Sequence, residues 1–157
     1  VERALWPMFR DEQRKLLADV QNGGMAVCSD IGLKNDVHPT NKKAVGERLA
    51  RWALHQNYGK REIIPSGPLP VKAVYKNGKL IISFRYADGL QAAGQQSLNG
   101  FSLDGKEIVP ATIDGTKVII VVKQKPAFVY YGWQPFSTGN LINKEQLPAS
   151  TFKLQVQ

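Results

Sequence analysis

Apolar residues recur at helical intervals near the start of the chain. The spacing predicts an extended start followed by a helix within residues 1–18, and Pro7 is expected to precede the helix because proline disrupts a helix interior. Asp11 is placed on the solvent-facing side, and Asn22-Gly23-Gly24 is expected to end the helix. The side chains predicted to share its buried face are Phe9, Gln13, Leu16, Leu17 and Val20.

A second helical pattern follows a short apolar run. The run at residues 25–28 predicts a buried strand, because it is short and uninterrupted by polar residues. Thr40 is the candidate N-cap of a helix that extends to about Asn57 and is closed by Gly59. The apolar positions at helical intervals in this second helix are Val45, Leu49, Trp52 and Ala53.

Beyond residue 62 the apolar pattern changes to a period of two. Alternating residues on both sides of Asn77-Gly78 predict a β-hairpin, and a second hairpin is predicted around Asp114-Gly115. A turn is predicted at Asp104-Gly105 and a strand at residues 128–131, whereas residues 140–148 are expected to be irregular. Several short strands joined by tight turns favour an antiparallel domain of sandwich or barrel type.

These patterns predict an α/β part followed by a β part. The boundaries are an α/β segment at residues 1–62, a proline-rich linker at 63–70 and an antiparallel β domain at 71–157. The chain has 157 residues, of which 43% are hydrophobic and 22% charged, so its composition is that of an ordinary globular protein.

The charge and the cysteine content exclude few classes of protein. The net charge is +8, but the basic residues are dispersed and form no run longer than pairs such as Lys42-Lys43, so nucleic-acid binding is not predicted. The charge mildly favours anionic ligands. No stretch of about 18 apolar residues is present, so no membrane span is predicted. The single Cys28 allows no internal disulfide.

Candidate chemistry is concentrated in residues 29–42, which include a histidine and two carboxylates just ahead of the second helix. Asn35-Asp36 and the proline that follows His38 disfavour regular structure, so a loop is predicted there. Loops held between regular elements commonly carry catalytic groups. The alternative interpretation of His38 is a solvated or capping residue. The other histidine, His55, falls within the second helix and is expected to be structural or exposed.

Several short motifs, taken together, resemble those of one enzyme family. They include Asn35-Asp36-Val37-His38-Pro39, Asn41-Lys42, Val45-Gly46-Glu47-Arg48-Leu49-Ala50, Tyr58-Gly59, Ser66-Gly67-Pro68, Tyr131-x-Trp133 and Leu147-Pro148-Ala149-Ser150. In these motifs, and in their order along the chain, the protein is similar to the sialate O-acetylesterases, a branch of the SGNH-type hydrolases. The resemblance implies that residues 1–62 are the C-terminal part of an SGNH-type, flavodoxin-like hydrolase domain, followed by an antiparallel β-sandwich-like domain.

The resemblance also implies a mechanism. In this family the histidine of the His-Pro loop removes a proton from a serine hydroxyl, which assigns the general-base role to His38. SGNH hydrolases commonly place the orienting aspartate three residues before the histidine, and that position is Asn35 in this chain. Asp36 is the predicted orienter. The alternatives are that Asp36 caps the loop and that Asn35, a backbone carbonyl or Asp30 orients the imidazole; a turn residue at a strand end is the expected role of Asp30.

The nucleophile is expected to lie outside this chain. In the family it lies in an N-terminal block with Gly-x-Ser character. The thiol of Cys28 and the hydroxyl of Ser29 lie near the loop, and both residues are interpreted as packing and turn residues. We therefore expect this chain to lack activity alone and to require the missing N-terminal part of the same protein. The implied substrate is an O-acetylated sialic acid or a related acetylated sugar, and the implied location is secreted, periplasmic or lysosomal.

A non-catalytic carbohydrate-binding or scaffold module is the alternative function. The aromatic residues Tyr130, Tyr131, Trp133 and Phe136 offer rings on which a sugar can stack, although such clusters more often pack in a core. The scattered histidines and cysteine have no metal-binding spacing, so neither a metal nor a cofactor is predicted.

Overall fold

The computed structural model of the protein describes residues 3–36 and 38–157, so Val1 and Glu2 of the predicted extended start and Val37 of the predicted loop lie outside it. A 3-10 turn at Arg3–Leu5 leads into helix α1 at Trp6–Leu16, and helix α2 covers Lys42–Gln56. Strands follow, with one further 3-10 turn at Ala93–Gln95. They are β1 Leu69–Lys76, β2 Lys79–Arg85, β3 Gln91–Ala92, β4 Phe101–Ser102, β5 Thr112–Asp114, β6 Lys117–Val121, β7 Phe128–Tyr131, β8 Leu141–Ile142 and β9 Phe152–Gln155.

The strands form small antiparallel sheets, which confirms the prediction of an antiparallel, β-rich second part. The largest sheet has the order β1-β2-β6-β5, a second has the order β4-β7-β9, and β3 pairs with β8. The hairpin between β1 and β2 turns at Asn77-Gly78, where both residues have positive φ angles of 51° and 74° as a type I′ turn requires. The second predicted hairpin joins β5 and β6, but β5 begins only at Thr112 because Pro110 has no amide N–H for a ladder.

The hydrophobic core lies between these sheets. Phe101 and Phe152 are fully buried, and the ring of Tyr131 packs on both, with centroid distances of 4.8 Å and 5.6 Å. The amide N–H of Leu141 donates to the Tyr131 hydroxyl oxygen at 2.8 Å, and burial raises the pKa of Tyr131. Burial of such large side chains stabilises the fold by about 1.5–3 kcal/mol each, so the β part holds most of the stabilising contacts.

The predicted buried and exposed faces of the first helix were wrong. Phe9, Leu16 and Val20, predicted to be buried, have 58%, 56% and 46% of their surface exposed, whereas Asp11, predicted to face solvent, is 1% exposed. The Asp11 carboxylate is paired with Arg14 of the same helix at 2.8 Å, which makes its burial tolerable. Pro7 also lies within the first turn of α1 rather than before the helix, where its missing N–H is not needed.

The predicted strand at residues 25–28 is absent from the described part of the chain, because no strand lies beside the run to complete a ladder. Side chains of α2 hold it instead: the indole N–H of Trp52 donates to the Met25 carbonyl at 3.0 Å, and Arg48 donates to the Val27 carbonyl. The N-cap of α2 is also one residue later than predicted. Asn41, not Thr40, accepts a hydrogen bond from the Ala44 amide at 3.1 Å.

The segment between α2 and β1 is held against α2 and against residues 147–148. Arg51 of α2 donates to the Ile64 carbonyl at 2.9 Å and pairs with Glu145 at 3.1 Å. Gly67 lies so close to residues 147–148 that a Cβ atom there would be 2.1 Å from the Pro148 carbonyl oxygen.

Neither helix in the described ranges combines the length and the apolar character needed to cross a bilayer.

Two glycine substitutions should have opposite effects on the free energy of unfolding. Gly67→Ala forces backbone apart and is expected to destabilise the chain by about 1–3 kcal/mol. Gly46→Ala, in an exposed helical position with nothing within 4 Å of the new Cβ, is expected to stabilise it by roughly 0.5–1 kcal/mol through helix propensity. Urea unfolding of both variants measures this. A Gly67→Ala variant as stable as the wild type would contradict the close approach at Pro148.

Candidate active site

The structure brings the two principal candidates, Asp36 and His38, together. The Nδ1 atom of His38 lies 3.3 Å from the Oδ1 atom of Asp36, and the same oxygen accepts the backbone N–H of His38 at 2.8 Å. This local turn is typical of an aspartate that bonds to the backbone two residues later. An imidazole whose Nδ1 faces a carboxylate has Nε2 as the nitrogen that can accept a proton. Both side chains are exposed, at 86% for His38 and 52% for Asp36.

Asp30, the alternative orienter, is engaged elsewhere. Its two carboxylate oxygens accept from the guanidinium of Arg48 at 2.7 Å and 2.6 Å, in the bidentate geometry that arginine and carboxylate favour. This hydrogen bonding raises the pKa of Arg48. Because Arg48 also donates to the Val27 carbonyl, the pair fixes the backbone where the His38 loop begins.

Asn35 and the remaining loop backbone lie on the surface. The side chain of Asn35 is exposed, next to Asp36. The preceding residue, Lys34, is held through its backbone, since its carbonyl oxygen accepts from the guanidinium of Arg3 at 2.9 Å. The loop is therefore anchored by arginine on both sides of Gly32, and the orienting role of Asn35 stays an alternative prediction.

The environment of Cys28 is that of a packing residue. Its sulfur donates to the Ala26 carbonyl at 3.3 Å, and partial burial raises the pKa of the thiol although the positive charge of Arg48 opposes that effect. A thiol with a raised pKa is mostly protonated at neutral pH and is a weak nucleophile. Ser29, the neighbouring hydroxyl, is half-buried.

His55 is placed for a structural contact. Its Nδ1 atom lies 2.8 Å from the Ile63 carbonyl oxygen, so the imidazole connects the end of α2 to the segment that follows. Within residues 3–36 and 38–157, no three side chains of the His, Cys, Asp and Glu types come together in a way that would hold a metal ion.

Two adjoining cavities border the loop and helix α1. One, of about 590 Å³, lies against α1, residues 24–29 and α2 and is lined mainly by apolar side chains. The other, of about 550 Å³, is lined by side chains from widely separated segments, including Arg3, Trp6, Lys34, Asp36 and Phe136. Such volumes are within the range of small-molecule sites. The sequence pattern gave no local signal for Arg3, Trp6 or Lys34, because only tertiary folding brings them to Asp36.

The aromatic residues predicted as one cluster occupy different environments. Tyr131 is in the core, and Trp133 packs edge-to-face on Tyr130 at a centroid distance of 5.2 Å. Phe136 is separate from them, with 39% of its surface exposed at the two cavities.

Comparison with known proteins identifies a solved structure of similar fold. The chain superposes on a carbohydrate acetylesterase from Xanthomonas citri with a TM-score of 0.84 and 37% sequence identity, over 96% of this chain. It spans only 36% of the length of that enzyme. No family model matches the chain. No curated protein matches it either.

The bidentate ion pair between Arg48 and Asp30, called the clamp below, should stabilise the start of the His38 loop. In Arg48→Met, the Asp30 carboxylate and the Val27 carbonyl lose their donor, and we expect the free energy of unfolding to fall by about 1–3 kcal/mol. The matched control is Lys43→Met, which removes an exposed ion pair of 3.7 Å with Glu47 and should change stability by less than about 0.5 kcal/mol. Urea unfolding compares them, and equal effects would show that the clamp contributes little.

Proposed function

We propose that this chain is one portion of a carbohydrate acetylesterase and that His38 is its general base. The observation that carries the proposal is the contact of 3.3 Å between His38 Nδ1 and the Asp36 carboxylate, on a loop at the edge of a cavity. The similarity in fold and sequence to an enzyme described as a carbohydrate acetylesterase supports the reaction class. The motifs that resemble the sialate O-acetylesterases support an SGNH-type hydrolase domain for the longer protein.

The proposed chemistry is acyl transfer through a serine. Nε2 of His38 takes the proton of a serine hydroxyl as the serine oxygen bonds to the acetyl carbonyl carbon. The bond between that carbon and the sugar oxygen then breaks, and the imidazolium gives its proton to the departing oxygen, which leaves as the sugar hydroxyl. Water, activated by the same imidazole, hydrolyses the acetyl-enzyme to acetate. Asp36 holds the ring by its Nδ1–H and stabilises the imidazolium. The serine and the oxyanion donors belong to the remainder of the longer protein.

The surface of the helical part supports such a remainder as the partner. Trp6, Phe9 and Leu49 are 43%, 58% and 47% exposed and all line the cavity of about 590 Å³. Contiguous apolar surface of this kind is typical of an interaction site. We propose that the N-terminal part of the same protein packs here, covers this face and brings its serine to His38.

The proposed substrate is an O-acetylated sialic acid. Arg3 and Lys34 line the cavity that Asp36 borders, and two cations there favour an anionic sugar over a neutral one. The net charge of +8 acts in the same direction at longer range. A neutral acetylated sugar is the alternative substrate.

The general-base role predicts the behaviour of the two histidines. In the full-length protein that contains this chain, His38→Ala should lower the kcat for acetate release roughly a thousandfold or more, because the variant loses the imidazole proposed to take the serine proton. The matched control, His55→Ala, should keep kcat within about threefold, since the Nδ1 atom of His55 lies at a backbone carbonyl away from the His38 loop. The measurement is acetate released from a 9-O-acetylated sialic acid and from an acetylated methyl glucoside.

Each result of that measurement has a defined meaning. Equal activity of the wild type and His38→Ala would exclude His38 from the mechanism, and faster turnover of the neutral ester would reject the sialic acid proposal alone. Acetate release by the isolated chain of 157 residues would show that the nucleophile lies within it. Sugar binding without any hydrolysis by the wild type would favour the carbohydrate-binding alternative.

The orienting role predicts a separate loss for Asp36→Asn. An amide donates to Nδ1 instead of accepting from it, so the imidazole adopts the wrong tautomer and kcat should fall about a hundredfold or more with little change in KM. Asn35→Ala and Asp30→Asn are the controls, because each tests one alternative orienter. A larger loss of kcat in either control than in Asp36→Asn, at equal folded fraction by circular dichroism, would assign the role to that residue instead.

A further inference from the structure

A loop at residues 132–139, directly after β7, carries an aromatic ring to the cavity that Asp36 borders. Pro135 and Phe136 line that cavity of about 550 Å³ together with Trp6 of α1 and Asp36. Phe136 is 39% exposed and Trp6 is 43% exposed. The cavity thus has apolar rings from two distant parts of the chain on its lining and a candidate catalytic carboxylate at its edge.

Arg10 of α1 fixes the position of this loop. Its guanidinium donates to three carbonyl oxygens of the loop, those of Gly132 at 3.0 Å, Gln134 at 2.6 Å and Pro135 at 3.2 Å. Its Nε donates to the Thr151 hydroxyl at 2.9 Å. Burial lowers the pKa of Arg10, although a guanidinium stays charged in proteins. Because these bonds span the backbone just before Phe136, they set where its ring lies.

The loop also has contacts within itself. Gly132 has a φ of 60°, and a Cβ atom there would be 2.8 Å from the Ser137 hydroxyl oxygen. That oxygen accepts the amide N–H of Gly139 at 3.1 Å. A loop held in this way reduces the entropic penalty of ordering Phe136 when a ligand binds.

The Phe136 ring takes part in none of the aromatic pairs found among the described residues. The aromatic pairs of the described residues link other rings: Trp52 with Tyr86, the core rings Phe84, Phe101, Tyr131 and Phe152 with one another, and Phe128, Tyr130 and Trp133 along one surface. Phe136 has no such neighbour among them. Sugar rings carry apolar C–H faces beside their hydroxyl groups, and the face of an exposed aromatic ring is complementary to them.

We propose that Phe136 is a specificity-determining residue on whose ring the acetylated sugar stacks, and that Arg10 is the positioning residue that holds the loop for it. This inference rests on the proposed function and deepens it, because the ring recognises the sugar and not the acetyl group. An ester without a sugar therefore depends less on Phe136 than a sugar ester does.

The experiment compares two kinds of ester in the full-length protein. We measure kcat/KM for the sugar ester that the wild type hydrolyses faster, from the two named above, and for 4-nitrophenyl acetate, which carries no sugar. Phe136→Ala should lower the ratio of the first value to the second about tenfold, mainly through the KM of the sugar ester. Phe136→Tyr should restore the ratio. The matched control is Tyr58→Ala, which removes a ring that is 74% exposed at the end of α2 and should leave the ratio unchanged.

Arg10 is tested through its coupling to Phe136. Arg10→Met should lower the same ratio by a similar factor, and the double variant should lose no more than Phe136→Ala alone, since both changes remove one stacking contact. A loss of stability in Arg10→Met would not by itself change the ratio, because it affects both esters equally. Additive effects, or an unchanged ratio in Phe136→Ala, would overturn the inference.

Failure of the esterase proposal can be distinguished from failure of the stacking proposal. If the wild type hydrolyses none of these esters, binding of both sugar esters is measured by calorimetry. A Kd about tenfold weaker in Phe136→Ala then supports the stacking role without catalysis. Equal Kd values in the two proteins, or no binding by the wild type, would overturn it.

Discussion

Irregular backbone needs hydrogen-bond donors for its carbonyl groups, and arginine side chains supply them both within the helical segment and where that segment meets the β part. Arg48 donates to the carbonyl of Val27, Arg51 to that of Ile64, and Arg3 to that of Lys34, while Arg10 serves the loop after β7. Where the carbonyl is partly buried, as at Val27 and Ile64, the loss of its only partner would cost up to about 1–3 kcal/mol, so these guanidinium groups help to hold segments that no ladder holds. The candidate active site depends on these contacts, because the His38 loop and the Phe136 loop both lack regular structure.

The β part was predictable because its signals are local. Asn77-Gly78 specifies a hairpin by the φ angles that only a few residues adopt, and the alternating residues around it then fix which side chains enter the core. The helical part was predicted less well. Periodicity correctly indicated helices there, but it did not identify the covered face. Asp11 is buried against expectation, and its ion pair with Arg14 offsets the cost of burying the carboxylate. The run at residues 25–28 shows the same limit, since a strand exists only where a neighbour completes its ladder.

The candidate site likewise contains residues that the local sequence predicts and residues that only the tertiary fold brings together. Asp36 and His38 are two residues apart, so a local turn is enough to bring the carboxylate to the imidazole, and the sequence alone suggested the pair. Arg10 and the loop after β7 are more than a hundred residues apart in the chain, and their contact follows from tertiary packing. Phe136 was visible in the sequence as one of several aromatic residues, but its exposure at the cavity edge, which sets it apart from Tyr131 and Trp133, required the fold.

The exposure of His38 and the apolar face of α1 have one physical explanation under the proposed function. An imidazole and a carboxylate 3.3 Å apart interact weakly while water surrounds them, and 86% exposure leaves the His38 ring in that condition. Packing of the remainder of the enzyme against Trp6 and Phe9 would exclude water from the same neighbourhood, which would strengthen the contact. The base and its orienter are then supplied by this chain, while the low dielectric that makes them effective is a property of the assembled hydrolase.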